Sequence, residues 1–308
     1  TLDPAAPTGR FQLSGSVGGK PLKGAGTLAP RDGRPVMDDL KISLGENQLE
    51  GALTLAEGMM PDGTITFSLP DIASLAALAL VEADGSARGS QRLDAGDGHP
   101  AATLDALVDS LNASGATVGE IRVNATARDY LARPTVGGAV SAGRIVYGKT
   151  EVRDVSVTLR QDGEWTGFDG SLKANAIPVS AKGRVRLDGG TTTVELSAAG
   201  AELRGIAARL ARPTTIAVTN GTVRLDGATI AAAGGTAAIS GSAGKALDLS
   251  VTLASLPAAV ANQFAPGIDA QGTLSGSARI TGSASAPQVA YQAQLRGGQL
   301  AQTRAAGF

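Results

Sequence analysis

Polar and apolar residues alternate along most of this chain with a period of two. In Thr64-Ile65-Thr66-Phe67-Ser68-Leu69, the side chains of Ile65, Phe67 and Leu69 fall on one side. A strand that buries one face and wets the other carries this pattern. Val155, Val157 and Leu159 alternate with Ser156, Thr158 and Arg160. Leu247, Leu249, Val251 and Leu253 alternate with Asp248, Ser250 and Thr252, and Val289, Tyr291, Ala293 and Leu295 do so against Ala290, Gln292 and Gln294. Shorter pieces at 42–44, 53–55, 121–123, 185–187, 216–218 and 223–225 read alike. Turn signals separate them: Gly18-Gly19, Asp62-Gly63, Asp162-Gly163, Gly189-Gly190, Asn220-Gly221 and Asp226-Gly227. Such pairs supply the positive φ values of tight hairpins. The expectation is an antiparallel all-β protein.

Three short stretches break the alternation. Pro70 and Asp71 open a helix near 70–80 with Ile72, Leu75 and Leu78 on one side, and Pro257 opens another near 257–265 with Val260 and Phe264 four apart. Leu104, Leu107, Val108 and Leu111 sit at helical spacing and place a third insert at 101–111. All are too short to be stable alone, so they are expected to lie against the sheet. Two phrases also recur. Leu69-Pro70 and Leu256-Pro257 are each followed, fifteen residues after the proline, by Gly85-Ser86-Ala87-Arg88-Gly89 and Gly272-Thr273-Leu274-Ser275-Gly276. Gly183-Arg184-Val185-Arg186-Leu187-Asp188-Gly189 returns as Gly221-Thr222-Val223-Arg224-Leu225-Asp226-Gly227. Repetition of this kind implies stacked units sharing a core, so 1–308 is read as one continuous array.

Composition narrows the picture. The chain has 42 glycines, about twice the usual share of ~7%. Aromatic residues make up only 3% and cysteine is absent. Ala, Val, Leu and Ile supply most apolar bulk, which suits a thin layer lining a sheet better than a deep globular centre. A long sheet curled into an open trough fits this best, with a sandwich or β-helix as the alternatives. A hydrophobic content of 43% argues against disorder, and a net charge of −1 offers no basic stripe for nucleic acid. No run of eighteen apolar residues spans a bilayer. The start at Thr1, without an initiator methionine or signal peptide, reads as an internal fragment.

Candidate chemistry is sparse. The single histidine, His99, lies in a polar turn and cannot build a zinc site with cysteines the chain lacks. Ser90, Asp94 and His99 form a nominal triad without the Gly-x-Ser-x-Gly elbow. Gly143-Arg144-Ile145-Val146-Tyr147-Gly148-Lys149-Thr150 matches phosphate-loop spacing. Its β-forming interior and the alternating strand after it point instead to strand, turn and strand. Trp165 and Phe168 read as aromatics at a turn end, with a partner or lipid anchor as the other possibility. The apolar strand faces themselves are the main candidate.

The run from Val251 through Phe264-Ala265-Pro266-Gly267, then Gly272-Thr273-Leu274-Ser275-Gly276-Ser277-Ala278-Arg279-Ile280-Thr281-Gly282 with Ala286-Pro287 behind it, resembles the TamB-like proteins of the AsmA-like family. The stretches 70–89 and 183–241 look like preceding repeats, and 1–60 carries the weakest likeness. The resemblance implies a β-taco, an elongated U-shaped antiparallel sheet with a hydrophobic inner surface and short helical inserts. It implies the periplasmic portion of an inner-membrane-anchored envelope protein that conducts phospholipid acyl chains between inner and outer membranes. It also implies an outer-membrane barrel partner of the TamA/BamA type. An alternative role is a scaffold that offers sheet edges to nascent outer-membrane strands. Neither role calls for an enzyme, a cofactor or a metal. The residues expected to line the groove are Ile65, Phe67 and Leu69, then Val155, Val157 and Leu159, then Val185, Leu187, Val223 and Leu225. Leu247, Leu249, Val251 and Leu253 follow, then Leu274, Ile280, Val289, Tyr291 and Leu295.

Overall fold

A computed structural model describes residues 8–96, 99–263 and 269–299. Their strands form one antiparallel sheet of twenty strands, as the alternation requires. The chain divides into two units, Thr1–Thr166 with Gly170–Ala176, and Gly167–Asp169 with Ile177–Phe308.

The first unit contains β1 (Gly9–Val17), β2 (Lys20–Arg31), β3 (Arg34–Leu44), β4 (Asn47–Leu55) and β5 (Pro61–Leu69). It continues with β6 (Ala83–Asp94), β7 (Ala101–Ala113), β8 (Ala116–Arg128), β9 (Thr135–Tyr147) and β10 (Thr150–Asp162). Each of these pairs antiparallel with the next in chain order. The next strand, β11 (Trp165–Ala174), contributes residues to both units. The second unit contains β12 (Ile177–Asp188), β13 (Thr191–Leu203), β14 (Ile206–Leu210), β15 (Thr214–Thr219) and β16 (Thr222–Ala232). It ends with β17 (Gly235–Ala243), β18 (Leu247–Pro257), β19 (Gln271–Ser283) and β20 (Ala286–Gln299). Here β14 and β15 share the place of one strand, since both pair with β13 and with β16. Pro213 lies in the break between them and lacks the N–H that an unbroken ladder would use.

One α-helix, α1 (Ile72–Leu78), occurs among the described residues, at the insert expected near 70–80. At 257–265, Pro257 closes β18 and Ala258–Gln263 forms a 3-10 helix, while Phe264 and Ala265 lie outside the described residues. The helix expected at 101–111 is not formed, because these residues are β7. The cause is a bulge. Ala102, Leu104, Ala106 and Val108 share one face, the register then slips by one at Asp109, and Leu111 and Ala113 rejoin that face. A period of two with one extra residue places apolar side chains four and then three apart, which imitates a helix.

Two expected turns are also strand interior. Gly63 lies in β5 with φ of 143° and Gly227 in β16 with φ of 151°, extended mirror-image values rather than those of a tight turn. A side chain at Gly63 would overlap the Ala52 carbonyl on the neighbouring strand, so only glycine permits the approach.

The core is thin. Among the described apolar residues only Val36, Leu40, Leu44 and five alanines are buried, and none of the described large side chains is fully buried. A sandwich would enclose large side chains between its two sheets. Here Phe11, Phe67 and Phe168 lie over glycines of neighbouring strands: a Cβ at Gly26, Gly89 or Gly183 would fall 2.6, 2.9 or 3.0 Å from the respective ring. The rings shield bare backbone, as aromatic residues do beside strand glycines.

Candidate functional site

Tracing register partners across each ladder shows how side chains sort between its two faces. In the first unit, Ile65 stands between Gly51 and Gln91, Phe67 between Leu49 and Gly89, and Leu69 opposite Ala87. The same face continues through Leu104, Val108, Val123 and Val140 to Val155, Val157 and Leu159, which stand opposite Ala142, Val140 and Gly138. In the other direction it runs through Leu53, Met37 and Leu28, and through Ile42 and Gly24 to Leu13. Outside the bulges, the one charged residue in register on this face among the described residues is Lys20, opposite Val17 at a hairpin end.

The second unit sorts in the same way. Val185 pairs with Val194 and Leu187 with Thr192, and β13 passes the face through Ile216 and Val218 to Leu225 and Val223. Leu247, Leu249, Val251 and Leu253 stand opposite Ala243, Gly241, Ile239 and Ala237 on one side. On the other side they meet Gly282, Ile280, Ala278 and Gly276. Leu274, Ala278 and Ile280 pass the face on to Leu295, Tyr291 and Val289. Every residue expected to line a groove therefore lies on the apolar face of its own unit. Most are half-buried, while Leu187, Val223, Val289, Tyr291 and Leu295 are exposed.

The sequence reading missed how far the apolar face extends within each unit. Continuity depends on three-residue steps that keep one side apolar across a bulge: Met37 to Leu40, Val118 to Ile121 and Val152 to Val155 in the first unit, and Leu253 to Leu256 in the second. Asp39, Asp154 and Ser255 occupy such bulges with φ of 52°, 54° and 54°. An apolar pair three apart, spanning a small polar residue, is the signal that marks them.

The opposite face holds the charge. Ion pairs cross it between neighbouring strands, Arg88–Asp109 at 2.7 Å and Arg144–Glu151 at 2.5 Å in the first unit, and Arg153 meets Glu151 at 2.9 Å along β10 itself. Arg184–Glu195 at 2.7 Å and Arg279–Asp248 at 2.9 Å belong to the second. Arg144 and then Arg153 hold the Glu151 carboxyl below its usual range, and Lys173 does the same for Asp154. Exposed pairs of this kind add little stability but keep the face wetted.

The remaining candidates do not assemble into chemistry. Ser90 stands on the polar face between Thr66 and Asp105, while His99 Nδ1 meets Asp129 Oδ1 at 2.9 Å and Asp94 accepts the Gly96 N–H. Residues 143–150 form the end of β9, a turn and the start of β10. Phe168 covers Gly183, and Thr166 accepts the Val136 N–H at 2.8 Å. A cavity of about 1040 Å³ opens at the ends of β4, β5 and β6, lined by Arg34, Asp62, Asp94, Asp129 and Leu131 among others. Asp62 there accepts the Ala95 N–H. Among the described residues no group of His, Asp and Glu is placed to hold a metal, and no helix is long and apolar enough to cross a membrane.

Compared with known proteins, the chain matches no protein-family model, no curated protein and no solved structure. The class that the fold defines is an all-β protein built on a single antiparallel sheet, with an apolar and a charged face in each unit.

Proposed function

We propose that the apolar faces shelter the acyl chains of phospholipids, and that the chain is a periplasmic portion of a TamB-like envelope protein moving lipid between two membranes. The observation that carries this reading is the sorting of side chains. Among the described residues an apolar face runs through β1–β10, interrupted in register by one charged residue at a hairpin end, and most of its side chains are half-buried or exposed rather than buried. Ordinary core packing would have closed over such a face. Burial of a methylene is worth about 0.8 kcal/mol, so a sixteen-carbon tail fully shielded from water gains on the order of 12 kcal/mol. A face open on one side captures a fraction of that, enough to hold a chain out of water without a deep pocket that traps it. Headgroups stay in solvent, so no headgroup site is required. Mass spectrometry of the organic extract from gently purified protein tests this reading: co-purifying phospholipid supports it. Protein that carries none, and takes up none from vesicles, contradicts it.

The exposure of Val289, Tyr291 and Leu295 on β20 favours a second reading, in which a strand of an outer-membrane protein adds beside β20 and a TamA/BamA-type barrel receives it. In that case crosslinks from β20 join protein to protein and not protein to lipid.

A further inference from the structure

We propose that α1 is a latched lid at one end of the first unit's apolar face, and that its polar ties to Asn47 and Lys20 set how readily an acyl chain enters there. This rests on the acyl-chain reading above. The seven residues of α1 are too few for a helix that stands alone. It links β5 to β6, yet its N-cap reaches back to two earlier hairpins. Asn47, only 3% exposed, donates from Nδ2 to the Asp71 carbonyl at 2.8 Å and accepts the Asp71 N–H at Oδ1 at 3.0 Å. The Asp71 carboxylate accepts from Lys20 Nζ and from Ser74 Oγ. Asn47 stands opposite Leu44, and Lys20 opposite Val17, all on the apolar face. The helix start therefore meets the end of that face, where Leu40, Leu44 and Asn47 are buried.

Towards its other end α1 buries only the small side chain of Ala76. Leu78, Leu80 and Val81 are 54%, 94% and 57% exposed. Leu80 has φ of 55°, a left-handed conformation unfavourable for leucine, and the turn around it is closed by bonds from its own N–H to the Ala77 carbonyl and from the Val81 N–H to the Ala76 carbonyl. A helix tied by polar bonds at one end, with one buried alanine holding the other, swings about the tied end. Loss of the ties frees it.

The chain has no cysteine, so Leu44→Cys places a single thiol beneath the ties. The test measures its alkylation by N-ethylmaleimide with the ties intact, in an Asn47→Ala background and in a Lys20→Gln background, with and without palmitate. Removing a tie is expected to speed labelling about tenfold, in keeping with one lost bond to a charged or buried group. Palmitate is expected to slow labelling again. Equal rates in all three backgrounds overturn the lid, whatever palmitate does. Faster labelling that palmitate leaves unchanged keeps the lid in place and contradicts acyl binding at this face. Hydrogen exchange at residues 79–81 in Asn47→Ala and Lys20→Gln proteins that retain Leu44 gives an independent reading should Leu44→Cys fail to fold. Unchanged protection there overturns the lid equally.

Discussion

Substituting aspartate at Val251 and, separately, at Thr252 probes the sorting of side chains most sharply. The two positions are adjacent on β18 but face opposite ways. Val251 stands between Ile239 and Ala278 on the apolar face, and Thr252 between Ala238 and Ser277 on the other. Val251 is half-buried and Thr252 exposed. Val251→Asp removes two methyl groups that, at half burial and about 0.8 kcal/mol each when fully buried, are worth about 1 kcal/mol. Partial desolvation of the new carboxylate adds roughly 1–3 kcal/mol. The expected loss is about 2–4 kcal/mol, against roughly 0.5 kcal/mol for Thr252→Asp. An acyl chain passing Val251 would also lose contact over about four methylenes, or roughly 3 kcal/mol, near a hundredfold in affinity. Urea denaturation gives the first quantity, and titration with a fluorescent sixteen-carbon fatty acid gives the second. Equal effects at both positions, with both variants folded, would refute the assignment of faces.

The remaining predictions concern the elements that shape the sheet. Gly63→Ala should cost about 2–4 kcal/mol in urea denaturation, because the new Cβ overlaps the Ala52 carbonyl; Gly33→Ala, with open space at its hairpin, should cost about 1 kcal/mol. Arg88→Ala, which removes an exposed ion pair with Asp109, should change stability by less than about 1 kcal/mol, and less still in high salt. Lys20 and then Ser74 lower the Asp71 carboxyl from 3.8 to about 2. A depressed folded value means that the tie is fully present above the ordinary value and is lost as pH falls through about 2. Hydrogen-exchange protection of α1, corrected for intrinsic rates, should thus be flat from pH 7 to 5 and decline towards pH 2.

Strand faces were legible wherever alternation ran unbroken, as in β5, β10 and β18. They were obscured wherever a bulge added a residue, because the shift at Asp109 gave 104, 108 and 111 the spacing of a helix. Gly63 and Gly227 looked like turn residues because a glycine that allows a turn also allows an extended kink, and composition does not distinguish the two. The helix at α1 was readable from Pro70 and Asp71, whose side chain caps Ser74. Its ties were not, since Asn47 and Lys20 lie 24 and 51 residues from Asp71 and meet it only once the hairpins are stacked.

The most direct test of the central claim places a photo-crosslinking benzoyl-phenylalanine at Val157 and, in a second protein, at Thr158. Val157 faces Val140 on the apolar side and Thr158 faces Ala139 on the charged side. After irradiation with phospholipid vesicles, mass spectrometry should find a phospholipid adduct on the protein labelled at 157 and none on the protein labelled at 158. Adducts of equal yield at both positions, or none at 157, would contradict acyl-chain binding on the apolar face.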